Sequence, residues 1–468
     1  MLRSLLFVYF ALSVGSLFGQ AVFLSGQAAD YAGKELIFYT YPEPISHQKR
    51  ILGETKVGPD GNFSLSFNTD QTIEIYADLG KYRGTLVVEP HAHYQVALPA
   101  YSPRTTQEAA SPYFEPALYW FGIKGDKPSE LNILARAFLT DYSKELAAHT
   151  RDLYQRRSGD TVKAIISRLG KTYPAGKDHY LNTLKTYNYG DLEYTIVQPE
   201  KESIAKKYFC QQEVSLAHPA YQQLFNAIFT DYLTSLSQDI RQKGFIAPAL
   251  KGNFEGWVDQ LEGIGYKKEV AELVAAKCFY DGFYSNKFNK SLMLKGLREA
   301  AIQTTFEPLK KLLPGIVLKI TSLQAGSPAP ALLLKNQNNA STSARAKGKF
   351  VYLGFFRSDS KESRDELDSL VRLGKKLSTV LTIVPVSLDE NFTDAVNLWK
   401  QKKYPWELTN AVDRRKALSD YQIKSFPTFY LISPDQKLLL SPALSPSHNF
   451  EALFLKIYRE QRFREASK

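Results

Sequence analysis

The sequence predicts a multi-domain fold: an N-terminal β-sandwich, a central α-helical region and a C-terminal α/β domain. Three observations predict it. Residues 21–100 carry short runs rich in β-branched and aromatic residues, parted by turn signals. Residues 104–318 switch to apolar steps of three and four. From residue 350, continuous apolar runs alternate with amphipathic ones, as in strands buried on both faces and the helices that cover them. The 468 residues suffice for roughly three domains. With 44% hydrophobic and 23% charged residues, the composition is that of a folded globular chain and excludes a disordered one.

The first strands are expected over 23–28, 35–40, 62–67, 72–77 and 85–88, and Gly58-Pro59-Asp60-Gly61 is the clearest turn. Polar and apolar residues alternate over 62–67, as in a half-buried strand. In the helical region, Leu131, Leu134, Phe138, Tyr142 and Leu146 form one apolar face. Tyr221, Phe225, Ile228, Tyr232 and Leu236 form another, and Val270, Leu273, Val274 and Cys278 a third. Residues 326–330 must be extended, because each proline pushes its predecessor out of the α region. Residues 336–346 read as a polar loop. Strands are then expected over 350–356, 381–388, 428–432 and 438–440. Helices should carry Leu367, Leu370, Val371 and Leu377, then 394–400, then 450–459.

Residues 1–20 read as a secretory signal. Arg3 supplies a positive start, Leu5 to Val14 is a short apolar run, and small residues follow it. The run is shorter than the roughly 20 residues of a membrane span, although an uncleaved anchor is the alternative. No cysteine lies near the cleavage region, so a lipid anchor on cysteine is not expected. Export to the periplasm or cell envelope follows. Cys210 and Cys278 are the two cysteines, and neither sits in a C-x-x-C motif. They read as buried thiols, with a disulfide as the alternative. The net charge of +11 is concentrated in the last third. Scattered solvated lysines account for it, and peripheral contact with an anionic envelope surface is the alternative. No nucleic-acid motif, P-loop, dinucleotide fingerprint or H-E-x-x-H occurs. His91 and His93 would share one face of a strand, too few ligands for a metal site. Trp399, Tyr404 and Trp406 read as a packing cluster.

The last third resembles the exported TlpA/ResA-like thioredoxin-fold family, part of a superfamily with peroxiredoxin-like members. Gly326-Ser327-Pro328-Ala329-Pro330 is similar to that family's G-x-x-A-P opening, and Gly348-Lys349-Phe350 to its first central strand. Residues 355–364, from Phe355 to Arg364, fall where it writes F-W-A-x-W-C-x-x-C-R. Phe426-Pro427-Thr428 falls on its cis-proline loop. The layout resembles multi-domain members of the Bacteroidetes type. Patterning sets domains at 21–100 (β-sandwich) and 104–318 (helical), and the resemblance implies that 319–468 is thioredoxin-like. It sets the two cysteine positions on Ser360 and Ser363, so no catalytic residue, metal or cofactor is expected. A serine hydroxyl stays protonated where a thiol would ionise. Ser360 suits a helix cap, and Ser363 with Glu366 also fits a capping box. A Ser360 hydrolase would need a base, and His448 is the domain's histidine. Phe356, Ser360, Lys361, Glu362, Ser363, Phe426 and Pro427 are the candidate binding residues. The expected function is a non-catalytic module that binds an envelope protein or peptide. The alternatives are a thiol-disulfide oxidoreductase or peroxiredoxin-like enzyme using a non-standard Cys, and ligand binding by the sandwich.

Overall fold

The structure is a computed structural model that describes residues 21–105, 108, 114–125, 130–196, 201–285, 287–344 and 348–466. The expected signal segment, 1–20, lies outside the described residues. The chain divides into two compact units. The first runs to Pro103 and from Pro116 to Phe306, and the second takes Arg104–Glu115 and Glu307–Lys468.

The first unit opens on β1 (Ala21–Gln27), β2 (Glu35–Thr40), β3 (Arg50–Lys56), β4 (Asn62–Asn68), β5 (Ile73–Leu79), β6 (Tyr82–Val88), β7 (His93–Ala97), β8 (Ala117–Trp120) and β9 (Gly122–Ile123). One sheet is ordered β4-β1-β7-β9 and the other β3-β2-β5-β6-β8. Alternation sorts their residues: along β1, Val22 and Leu24 are buried while Phe23 is 44% exposed. Val22, Leu24 and Phe63 from one sheet share a core with Phe38, Ile75 and Leu86 from the other. Gly84 has no substitute on β6, because a Cβ there would stand 2.1 Å from the Phe121 ring.

The helices of this unit are α1 (Leu131–Ala148), α2 (Gly159–Thr172), α3 (His179–Ile196), α4 (Lys201–Phe209), α5 (Pro219–Phe229), α6 (Tyr232–Ser237), α7 (Lys243–Leu250), α8 (Phe254–Gly263), α9 (Lys268–Tyr284) and α10 (Lys290–Gln303). The apolar stripe from Tyr221 to Leu236 spans two helices and not one. Asp231 takes the left-handed region, φ 54°, and breaks it. Cys210 and Cys278 are free and buried, so the disulfide alternative does not form. Burial pushes the Cys278 thiol up to about 12.

The expected border near residue 100 separates no compact units. Buried polar groups need partners, and several of the sandwich find them on the helices. Asn132 of α1 accepts the Val87 N–H at 2.7 Å and donates to the Val87 carbonyl at 2.9 Å. Tyr180 of α3 donates to Glu74 at 2.9 Å, and Thr85 donates to its other oxygen at 2.5 Å. Gln222 of α5 donates to the Tyr41 carbonyl at 2.8 Å. The segment expected to be helical also returns β8 and β9 to the two sheets.

The second unit begins earlier than expected, with α11 (Glu307–Ser322). It continues through β10 (Leu333–Asn336), β11 (Ser341–Ser343), β12 (Phe350–Phe356), α12 (Lys361–Leu377), β13 (Leu381–Ser387), α13 (Phe392–Lys402), β14 (Thr409–Ala411), α14 (Arg414–Asp420), β15 (Thr428–Ile432), β16 (Leu438–Ala443) and α15 (Phe450–Ala466). The sheet is ordered β11-β10-β14-β13-β12-β15-β16. β12 runs parallel to β13 and antiparallel to β15. Phe350, Tyr352 and Phe356 face one core with Leu367 and Leu370 of α12, Trp399 of α13 and Phe454 of α15. Val351, Leu353 and Phe355 face the other, with Ala417 and Tyr421. The polar stretch read as a loop, 336–346, supplies β11 and the last residue of β10. Residues 326–329 run beside the β15–β16 turn: Gly326 donates to Leu438 O at 2.7 Å and Ala329 to Gln436 O at 2.9 Å.

Burial holds the Glu74 carboxyl above its ordinary pKa, opposed by the hydroxyls of Thr85 and Tyr180. An acid raised in this way stabilises the fold fully below its unfolded pKa. That contribution fades as pH climbs through the folded value. Glu74→Gln keeps a neutral group of the same shape. It should melt close to wild type near pH 4 and above wild type near pH 8, as followed by circular dichroism. A gap that narrows with rising pH would contradict this.

Candidate functional site

The site lies where β12 ends and α12 begins. Seven buried residues bring the chain to Phe356, and the loop from Arg357 to Ser360 turns it into the helix. Ser360 is the cap: its backbone is extended, and its Oγ accepts the Ser363 N–H at 3.1 Å. Serine favours this role because its side-chain oxygen satisfies an amide that the helix leaves unpaired. Ser360 also donates to Glu362 at 3.1 Å. A backbone N–H and the Ser360 hydroxyl hold the Glu362 carboxyl below the usual carboxylate range, as suits the positive end of a helix.

The loop is fastened from beneath. Asp389 accepts the Ser358 N–H at 2.8 Å, the Ser358 hydroxyl at 2.9 Å and the Ser387 hydroxyl at 2.7 Å. Arg364 donates to the Ser358 carbonyl at 2.7 Å. Arg414 donates to the Leu388 carbonyl at 2.8 Å and steadies the loop that carries Asp389. Above, Arg357 forks onto Asp359, and its guanidinium carbon stands 6.0 Å from the centre of the Phe426 ring.

The structure brings together only part of the predicted set. Ser360, Lys361 and Glu362 share the exposed start of α12, and Lys361 is paired with Asp365 at 2.9 Å. Phe426 and Pro427, joined by a cis peptide bond, are half-buried just before β15. Phe356 does not line a surface. It is 1% exposed and stacks on Trp399 with ring centres 5.2 Å apart. Ser363 is fully buried, with its Oγ 3.5 Å from the Arg357 N–H it accepts. The Ser363–Glu366 capping box is not made, because Glu366 accepts the Ser447 N–H at 3.0 Å instead.

Sequence reasoning passed over Arg357, Asp389 and Arg414, and read Asp359 only as suited to the positive end of the helix. Arg357 and Asp359 lie inside the motif run, where their departure from it was the available signal. Asp389 and Arg414 reach the loop through the sheet, which no spacing reveals.

Among the described residues, Ser360 has no histidine partner. The Nδ1 of His448 lies 2.7 Å from the Ser445 hydroxyl and 3.0 Å from that of Ser447. His91 and His93 do not share a strand face: His91 sits in a left-handed turn, φ 63°, and β7 starts at His93, which stacks on Phe23. Trp399, Tyr404 and Trp406 pack with Phe356, and the Trp399 indole donates to the Trp406 carbonyl at 3.0 Å.

A mixed sheet between two helical layers, with a capped helix following its central strand, defines a small α/β domain, and the chain belongs to the thioredoxin-like family. Thioredoxin-like protein YneN of Bacillus subtilis (strain 168) is 31% identical over 120 residues, which are 24% of this chain and 68% of that protein. No protein-family model matches the chain. Among solved structures, a thiol:disulfide interchange protein from Bacteroides sp. is 24% identical, with 28% of this chain and 90% of that one covered at a TM-score of 0.26. The thioredoxin domain of a thiol-disulfide oxidoreductase from Bacteroides vulgatus is 24% identical, with 28% and 96% covered and a TM-score of 0.26.

The cap assignment is tested by stability. Ser360→Ala should lower the unfolding free energy by about 1 kcal/mol, as for other lost N-caps, while Ser360→Asp should hold it near wild type. Urea titration followed by circular dichroism measures both, and equal losses would show that capping is not the role of this side chain.

Proposed function

We propose that residues 319–468 form a thioredoxin-like module that has given up thiol–disulfide exchange and binds an extended peptide segment of another envelope protein. The observation that carries this reading is chemical: hydroxyls stand at Ser360 and Ser363, and no cysteine follows Cys278. A redox thiol at a helix start works because its pKa falls until a nucleophilic thiolate is populated. The Ser360 oxygen instead caps the helix. The alternative of a borrowed sulfur is disfavoured by burial, which keeps the Cys278 thiol protonated at neutral pH. Peptide binding is supported at Phe426, whose backbone N–H and C=O take no partner among the described residues. An extended chain could pair there by strand addition. Export, through the signal-like residues 1–20, belongs to the same reading, as does peripheral contact with the envelope.

Wild-type protein should not accelerate insulin reduction by dithiothreitol, whereas Ser360→Cys/Ser363→Cys should gain measurable turnover. The pair would then have the C-x-x-C spacing, with its first member accessible and its second buried. Robust wild-type turnover, lost on Cys210→Ser or Cys278→Ser, would replace this proposal with the enzyme reading.

A further inference from the structure

We propose that a break in the sheet of the second unit is a docking groove for an extended peptide segment carrying lysine or arginine, which pairs with the open edge of β13 from Leu381 to Ile383. This site is separate from Phe426 and does not depend on it. Leu381 pairs with Phe350 at the start of β12, and Thr428 pairs with Phe355 near its end, so the two places lie at opposite ends of the sheet.

Backbone hydrogen bonds fix which groups of β13 face the break. The Phe350 N–H donates to the Val380 carbonyl at 3.0 Å, and the Leu388 N–H donates to the Phe356 carbonyl at 2.9 Å. In a ladder the residues that bond one neighbour recur at every second position, so the even-numbered residues of β13 bond β12. The N–H and C=O of Leu381 and Ile383 therefore point to the other edge. β14 pairs there only with Val386 and Ser387, because it begins at Thr409 and Trp406 and Glu407 lie outside any strand. The outward groups of Leu381 and Ile383 take no partner among the described residues. Yet the two residues are only 3% and 7% exposed. Buried main-chain groups without a protein partner are rare. These belong to the wall of a groove of about 410 Å³ that Thr342, Trp406 and Glu407 also line.

The lining specifies the occupant. Main-chain donors and acceptors two residues apart match the backbone of an added strand, whereas an ion or an apolar ligand would leave them unpaired. Pairing ends at Pro385, which has no N–H and whose carbonyl already accepts the Thr409 hydroxyl at 2.7 Å. Glu407 sets the charge. Its carboxylate accepts from two neutral groups, the Asn336 amide at 2.8 Å and the Thr342 hydroxyl at 3.4 Å. It has no cationic partner among the described residues. Those bonds hold a negative charge at the groove wall, which a basic side chain of the incoming strand complements.

The test uses the full chain and fluorescently labelled lysozyme, reduced and carboxamidomethylated so that it stays unfolded and basic, read by anisotropy. Wild type should bind this probe. Thr342→Trp, which fills the groove from β11, should weaken binding about tenfold. Glu407→Lys, which reverses the charge, should weaken it about fivefold. Phe426→Asp should leave it unchanged. Bound probe should slow amide hydrogen exchange at Leu381 and Ile383 about tenfold, read by mass spectrometry with electron-transfer fragmentation. No binding by wild type, or exchange at both amides that the probe leaves unchanged, would overturn the proposal. A loss with Glu407→Lys but not with Thr342→Trp would assign binding to surface charge and overturn it too. So would a loss with Phe426→Asp alone, which would place the peptide at the other end of the sheet. Self-association of wild type in sedimentation, abolished by Thr342→Trp, would give the groove to a second copy and overturn the peptide occupant. Circular dichroism of each variant confirms that the fold is retained.

Discussion

The second unit is organised by one strand. β12 is buried along all seven residues, and its side chains alternate between two cores. Because the side-chain period in a strand is two, a slip of one residue would exchange those cores. Tyr352 would leave Phe429 and Phe450, on which it stacks, and the Leu444 carbonyl, to which its hydroxyl donates at 2.6 Å. The register that protects these contacts also delivers Ser360 to the start of α12. The geometry of the candidate site is a by-product of core packing.

The parts of this fold that were legible in sequence are those where burial is one-sided or complete. Residues 350–356 read as a central strand because both of its faces are covered, so no polar residue interrupts the run. α12 was legible because its apolar residues keep to one face. β3 was missed because Arg50, Glu54 and Lys56 sit on an edge strand that is largely exposed. β8 and β9 are too short to show a period. The Thr230–Asp231 break hides inside an apolar stripe that continues on the next helix. Within the site, the motif placed residues along the chain but not around it. Alternation turned Phe356 inward, and the first helical turn buried Ser363, so two of the seven proposed binding residues have no surface to offer.

In the proposed reading, the exchange of sulfur for oxygen alters chemistry and stability in opposite senses. A helix start is a good place for a thiolate, since the amide ends favour negative charge. It is an equally good place for a neutral hydroxyl, because serine is among the strongest caps. The substitution removes electron transfer and leaves the helix terminus better satisfied. The loop around it has gathered ionic and polar ties: Arg357 to Asp359, Ser358 to Asp389, and Arg364 to the Ser358 carbonyl.

Asn132 has a further consequence for the first unit. β8 accompanies β6 only as far as the pairing of Thr85 with Trp120. Two residues on, the main chain at Val87 faces the same way and would present a bare donor and acceptor to any passing strand. The Asn132 amide fills both positions with a side chain, as a single counterfeit peptide group. It terminates the row of hydrogen bonds without extending it, and so denies a second molecule the foothold from which edge-to-edge polymerisation would start.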